Sequence, residues 1–370
     1  MSKFKVEFTL KQHTPIIHFQ SEQSGATLRA TELKPKFDKF LKEYAFDGEI
    51  PKEFLIDEGK DALDYKVKIE QNISQATLID KRDPLFFGNM GDDKDKKFKT
   101  INKAFKIELF TYKLKLKTIL EEHFEAYLAN TNFGTRQSKG FGSFYLNKPF
   151  DKSLVKYKVY SFKTTDWKKD IGLFYQFIRQ GINLPKSTDE CPETKFYSKP
   201  VIFSYAKNKG WTWDKKAIKS KYFNTILAKQ IGCRSGDVLI YKSNKSYLLR
   251  DLFGLSSSQQ WMSYNKVNIE KENEDIDRFK SPITFKVVDN IVYFWANDTV
   301  KKILDKEFTI KAGKGNDSLK LSTPKHFDLD DFFDFTFNEL RLNAHINEEF
   351  HSSSEYKILN RIFNEIKASK

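Results

Sequence analysis

Asn132-Phe-Gly-Thr-Arg-Gln-Ser-Lys-Gly-Phe-Gly-Ser-Phe144 is the stretch on which the reading of the fold turns. Gly134, Gly140 and Gly142 bracket three potential phosphate donors, Arg136, Ser138 and Lys139. Glycines permit positive φ and let backbone N–H groups come close to an anion. Arg can clamp a phosphate through two donors at once, whereas Lys supplies a point charge. Gln137 could read a base edge or a ribose hydroxyl, and Phe133 or Phe141 could stack on a base. A nucleotide P-loop is excluded, because no G-x-x-x-x-G-K-[ST] leads into a helix. A dinucleotide fingerprint also fits poorly, since these glycines follow a helix pattern and not a strand.

That helix is read from Ile119, Leu120, His123, Phe124, Tyr127 and Leu128, which share one face. Gly142–Asn147 reads as a closing strand. Upstream, Phe4, Val6, Phe8 and Leu10 alternate with polar residues, the period of a half-buried strand, until Pro15 interrupts. Leu33, Phe37, Phe40, Leu41 and Tyr44 then recur at helical spacing, with Pro35 expected in the first turn. Residues 62–74 and 104–116 alternate again, around a polar segment holding Lys81–Gly88 and the charge run Gly91–Lys97. The order β-α-β-β-α-β predicts an α+β fold, a ferredoxin-like or RRM-like unit with an antiparallel sheet. This unit takes residues 1–150.

A second, diverged unit is expected over 151–370, opening with a strand at 155–162. Asp166 is placed to cap a helix through Ile171, Phe174, Tyr175 and Ile178, and Gly181 to end it. A long insertion is expected at about 185–275, with helical hints near 214–230. Ile283–Val288, Asp289-Asn290 and Ile291–Trp295 read as a hairpin. Helices are expected near 327–342 and 353–368. The predicted fold is therefore a tandem of ferredoxin-like domains with antiparallel sheets.

The chain carries a net charge of +14 and 35 Phe. So many aromatics can bury a sizeable core, and the excess of cations points to a polyanionic partner. Only nine of the 64 basic residues are Arg, which makes their positions informative. Arg29, Lys34 and Lys36 stand at the entry to the first helix, where free N–H groups favour an anion. Arg179 ends a later helix, where a cation also merely complements the dipole. Lys207-Asn-Lys-Gly-Trp-Thr-Trp213 interleaves bases with two tryptophans as a stacking platform would, although Trp is more often core.

Cys191 and Cys233 are too few for a disulfide scaffold and imply a reducing compartment. The N-terminus lacks the apolar core of a signal peptide, and no run reaches a membrane span, so a cytoplasmic protein is expected. The six histidines show no metal spacing. Asp328-Leu-Asp-Asp-Phe-Phe-Asp334 reads as the solvated face of a helix. No cofactor or metal is expected.

Arg136-Gln-Ser-Lys-Gly-Phe-Gly142, following the second helix of such a unit, resembles the Gly-rich signature of the RAMP superfamily of CRISPR-associated proteins. His13-Thr-Pro-Ile-Ile17 and Ala26-Thr-Leu-Arg-Ala-Thr-Glu-Leu-Lys-Pro-Lys36 are similar to that family's first strand and helix entry. Arg278-Phe-Lys-Ser-Pro-Ile283 and Leu248-Leu-Arg-Asp-Leu-Phe-Gly-Leu255 resemble elements of the two-domain subunit of type III-B (Cmr) complexes. The family's Trp-rich first helix is replaced here by Phe37-Asp-Lys-Phe40. The resemblance implies a non-catalytic subunit that binds guide RNA, target RNA or both, beside other effector subunits. The RNA contacts would be Arg29, Lys34, Lys36, Gly134, Arg136, Gln137, Ser138, Lys139, Gly140, Phe141, Gly142 and Arg179. The alternative it implies is a metal-independent endoribonuclease, with His13 or His18 deprotonating a ribose 2′-OH.

Overall fold

The computed structural model describes residues 3–17, 28–57, 59–70, 75–78, 97–100, 104–186, 193–223, 246–261, 267–313 and 317–369. These form two compact units. The first takes the chain to Ile171 and then Thr284–Trp295; the second takes Gly172–Ile283 and Ala296–Lys370.

The first unit opens with strand β1 (Lys5–Gln12) and helix α1 (Ala30–Tyr44), followed by β2 (Lys66–Glu70). A separate antiparallel pair, β3 (Gln75–Leu78) with β4 (Lys97–Thr100), intervenes. Then come β5 (Phe105–Phe110), α2 (Leu114–Asn130) and β6 (Phe144–Leu146). The sheet runs β2-β5-β1-β6, with every pairing antiparallel. Val6 and Leu10 of β1 and Ile107 and Leu109 of β5 point into the core, as alternation requires. Leu33, Phe37 and Leu41 of α1 and Leu120, Phe124 and Tyr127 of α2 close over them. Phe37 stacks on Tyr127 with ring centroids 4.7 Å apart, and Phe8 on Phe124 at 4.3 Å.

The alternate residues of this sheet carry mixed charge. Glu7 and Glu108 face each other directly across β1 and β5, and Lys5 bridges the two carboxylates. Like charges in register repel, so the bridging ammonium is what makes the pairing tolerable.

Several boundaries differ from the sequence expectation: the strands expected at 62–74 and 155–162 start only at Lys66 and Tyr160, and two further cases have a clear cause. Alternation continues to Leu116, yet β5 ends at Phe110 and helix α2 begins at Leu114. Leu114 and Leu116 continue the alternating count by coincidence, since only Leu116 is buried. Helix α1 starts at Ala30, so Pro35 lies in its second turn, not its first. His18 and the segment Lys81–Lys96 lie outside the described residues.

After β6 the chain makes β7 (Tyr160–Lys163) and helix α3 (Trp167–Arg179), which spans the division between units. Asp166 Oδ1 accepts the Lys169 N–H at 3.2 Å, and Gly181 at φ +78° ends the helix. The hairpin Ile283–Val288 and Ile291–Ala296 contributes to the first unit although it lies more than a hundred residues downstream. Its turn residues Asp289 and Asn290 have φ of 45° and 63°, as a two-residue hairpin demands. The second hairpin strand pairs antiparallel with β7, giving a three-stranded sheet.

The second unit holds a six-stranded sheet. Thr212–Trp213, Ser246–Tyr247 and Ser318–Ser322 run parallel, while Glu307–Ala312, Val267–Glu272 and Ser258–Trp261 continue it antiparallel. The sheet is therefore mixed, not purely antiparallel as expected. Four of its strands come from residues 185–275, so the described part of that segment builds the sheet. Near the C-terminus the expected helix at 327–342 is broken into Leu329–Asp334, a wide turn through Glu339 and Leu342–His345. Ser354–Ala368 is helical throughout, with Ser353 accepting the Tyr356 N–H as its cap.

Candidate nucleic-acid interface

The Gly-rich stretch is built against the segment that follows β1. The His13 N–H donates to Ser143 O at 2.9 Å, Gly142 N–H to Pro15 O at 2.8 Å and Thr135 N–H to Ile17 O at 2.8 Å. Thr14 Oγ1 donates to Gly140 O at 2.6 Å and accepts the Ser143 N–H at 2.9 Å. The two segments thus satisfy each other's buried backbone groups, and most loop amides point into the protein.

The glycines make that approach possible. At Gly142 (φ +66°) a Cβ would stand 1.8 Å from Phe133 O; at Gly134 it would stand 2.6 Å from Ile17 O. Gly140 packs against Ile171 and Val287. Their demonstrated role is close packing.

This packing divides the expected contacts into two groups. Lys139 and Phe141 are only 6% and 4% exposed. Phe141 packs edge-on to Trp167, and Phe133 is fully buried beside Tyr127 and Phe144. Neither ring offers a face to a base, and Lys139 offers no ammonium to the surface. Gly140 and Gly142 are buried with them. The outward part is Gly134–Ser138, with Arg136 held left-handed at φ 61° ahead of a 3₁₀ turn over Gln137–Lys139.

Helix α1 meets this arch through Glu32. Its Oε1 accepts from the Gly134 N–H at 2.7 Å and from Lys36 Nζ at 2.7 Å. Lys36 Nζ also lies 3.3 Å from Asn132 O and above the Phe133 ring. Arg29, the residue before the helix, is one turn from Glu32. Lys36 and Gly134–Ser138 are therefore brought together, with Arg29 one turn from the Glu32 that joins them. Lys34 gives its donors to Asp38 Oδ2 at 2.7 Å and Leu63 O at 2.8 Å, away from the arch, whereas those of Lys36 go to Glu32 and Asn132 at the arch itself. Burial raises the Asp38 carboxyl above its usual range, with Lys34 opposing the effect.

Arg179 belongs to the second unit and is a structural residue there. Its Nε donates to Arg250 O at 3.1 Å and its Nη2 to Gly254 O at 2.8 Å. Trp211 packs against Tyr205 and Tyr247, and Trp213 against Phe203, so both tryptophans serve aromatic clusters. Asp328 caps its helix by accepting from the Asp330 and Asp331 N–H groups, and Asp331 pairs with Lys209. His123 is half-buried.

His13 is enclosed, its side chain 4% exposed. Its Nδ1 accepts the Asp289 N–H at 3.2 Å. Burial pushes the imidazole down to about 4, and the Asp289 carboxylate only partly offsets this. Such a group is a weak base at neutral pH and is shielded from a substrate.

Sequence reading missed Thr14, Glu32, Asn132 and Lys286. Asn132 Nδ2 donates to Gln137 O at 2.7 Å and to Phe285 O at 2.8 Å, and Lys286 is completely buried beneath the loop. Thr14 stands in the quoted Thr-Pro element, so its place was marked but not its task.

A first unit with this loop, clamped by the segment after β1, is in keeping with the resemblance to RAMP-type CRISPR-associated proteins. Residues 3–182 match the Cmr1 N-terminal domain and residues 197–368 the Cmr1 C-terminal domain. The chain belongs to the Cmr1 family, and the resemblance to a type III-B RAMP subunit is borne out. Among solved structures, it is similar to a chain of "Cryo-EM structure of the Type III-B Cmr-beta bound to cognate target RNA". Identity is 13% and the TM-score 0.30, over 39% of this chain and 59% of that chain. No curated protein matches. Among the described residues, no helix is long and apolar enough to cross a membrane, and no three His, Cys, Asp or Glu gather as metal ligands.

Proposed function

We propose that this protein is a non-catalytic, RNA-binding subunit of a type III-B CRISPR (Cmr) ribonucleoprotein. It would hold guide RNA, target RNA or both during antiviral defence in the cytoplasm, with other effector subunits as protein partners. The observation that carries this reading is the Glu32 link, which sets Lys36 beside the half-buried Gly134–Ser138 arch, with Arg29 one turn away on the same helix entry. Arg136 and Ser138 are the phosphate contacts, joined by Arg29 and Lys36. The order β2-β5-β1-β6 supports a ferredoxin-like first unit. The mixed charge on the outer residues of that sheet favours the arch over the sheet as the RNA contact.

Binding of single-stranded RNA by the full chain tests this reading. Arg29→Ala with Arg136→Ala should weaken binding at least tenfold. It should also lower the slope of log affinity against log salt by ~1.4, as expected for two lost phosphate contacts on a single strand. Metal-free, site-specific cleavage of CRISPR repeat RNA, abolished by His13→Ala or His18→Ala, would overturn it in favour of an endoribonuclease.

A further inference from the structure

Lys286 lies on the first strand of the distal hairpin and has no exposed surface. Its ammonium donates to Thr131 O at 3.0 Å, Phe144 O at 3.1 Å and Asn132 Oδ1 at 3.3 Å. An ammonium has three donors, and all three are used. The acceptors stand at the two ends of the Gly-rich stretch: Thr131 and Asn132 where it leaves α2, and Phe144 where it enters β6. One cation thus closes the neck of the loop.

The neighbouring hairpin groups continue the attachment. Phe285 O accepts from Asn132 Nδ2, and Val287 O accepts from Ser143 Oγ at 2.7 Å. Asn132 also donates to Gln137 O. A continuous chain of hydrogen bonds therefore runs from Lys286 through Asn132 to the turn at Gln137.

We propose that Lys286 is the positioning residue of the RNA-contacting arch, acting without touching RNA by clamping both ends of the Gly-rich stretch. This rests on the RNA-binding reading above for its consequence, though not for its geometry. A buried cation is tolerated here because it replaces a water shell with three fixed acceptors. A neutral amine has only two N–H donors, so loss of the proton would free one end of the clamp.

Burial lowers the Lys286 ammonium to about 7, so its occupancy changes near neutrality. The titratable group that feels its charge is His13, which in turn meets Asp289 and, through it, Lys11. His13 is neutral above about 4, and Lys11 is paired with Asp289 at 2.6 Å.

The test combines amide exchange on the free, full-length protein with RNA affinity. Lys286→Met should speed exchange of the Thr135, Lys139 and Gly142 amides at least tenfold. It should weaken single-stranded RNA binding about tenfold and leave the salt slope unchanged, because no phosphate contact is removed. In the wild-type protein, protection of these amides, corrected for intrinsic rates, should fall between pH 6 and 8.5; in Lys286→Met it should stay flat. The wild-type titration needs no variant, so the clamp is tested even if Lys286→Met fails to fold.

Unchanged exchange, or wild-type protection that ignores pH, overturns the clamp. A salt slope that drops by ~0.7 overturns it differently, since Lys286 would then be a direct phosphate contact. A loosened loop with undiminished RNA affinity also refutes the positioning role. Wild-type protein that binds no RNA, with the exchange behaviour as expected, would sink the RNA reading and leave the loop clamp standing.

Discussion

Replacing Gly142 by Ala puts the packing of the Gly-rich stretch to a quantitative test. Two costs are expected. The first is conformational: at φ +66° a residue with a Cβ is disfavoured by about 1 kcal/mol. The second is steric, because the new methyl would lie 1.8 Å from Phe133 O and 2.7 Å from its carbonyl carbon. Relief requires the backbone to move by more than an ångström, which breaks the Phe133 N–H to Gly142 O bond or the Gly142 N–H to Pro15 O bond. A buried bond lost in this way costs about 1–3 kcal/mol. The total is about 2–4 kcal/mol. Gly48 supplies the control, since its φ is +96° and nothing stands within 4 Å of where a methyl would sit. Gly48→Ala should therefore cost only the conformational part, about 1 kcal/mol. Urea titrations of both variants, compared at constant m-value, measure the difference. If Gly142→Ala costs within about 0.5 kcal/mol of Gly48→Ala, close approach is not what the glycine is for.

Glu32→Ala removes the acceptor shared by Gly134 N–H and Lys36. It should cost about 2 kcal/mol and weaken RNA binding, whereas Glu32→Gln, which keeps one acceptor oxygen, should lose less in a parallel titration. His13 makes the fold acid-sensitive: its pKa is about 4 folded against the usual 6.5, so between these values the unfolded chain binds the extra proton. Stability should thus fall by about 3 kcal/mol as pH drops from 6.5 to 4, and His13→Gln should flatten that part of the pH profile of unfolding. In the second unit, Lys271 and Asp251 form a fully buried ion pair. Lys271→Met should cost about 3–5 kcal/mol by stranding the carboxylate, and Asp251→Leu on top of it should restore much of the loss in thermal unfolding.

The elements of the first unit were legible where periodicity was strong. Alternation through Val6 and Leu10 and helical spacing through Leu33, Phe37 and Leu41 reflect one-sided burial, which local sequence records directly. The distal hairpin was equally legible, because Asp289-Asn290 can adopt the two positive φ values that its turn requires. Its destination was not. Alternation says that a strand has a buried face, but not which neighbour buries it, and the partner of Val292 and Phe294 is β7, more than a hundred residues away. The mixed sheet of the second unit escaped for the same reason. Its parallel pairs involve strands of two residues, too short to leave a period.

At the candidate site the sequence located the loop but not which of its residues are turned inward. Gly134, Gly140 and Gly142 invite an anion reading because a missing Cβ lets backbone meet a phosphate. The same missing Cβ lets backbone meet backbone, and here Ile17 O and Phe133 O occupy that space. Composition cannot separate the two cases, since both demand the same residue. The separation comes from partners distant in sequence: Thr14, Pro15 and Ile17 on one side, and Lys286 on the other. Once they absorb the inward groups, the half-buried arch from Gly134 to Ser138 is the part left nearest the surface, with Lys36 beside it. A basic loop whose shape is set from beneath, by a buried cation and an adjoining strand, can present its outer charges in a fixed geometry. Such a setting would suit the RNA-binding role proposed above, in which the arch meets backbone phosphates.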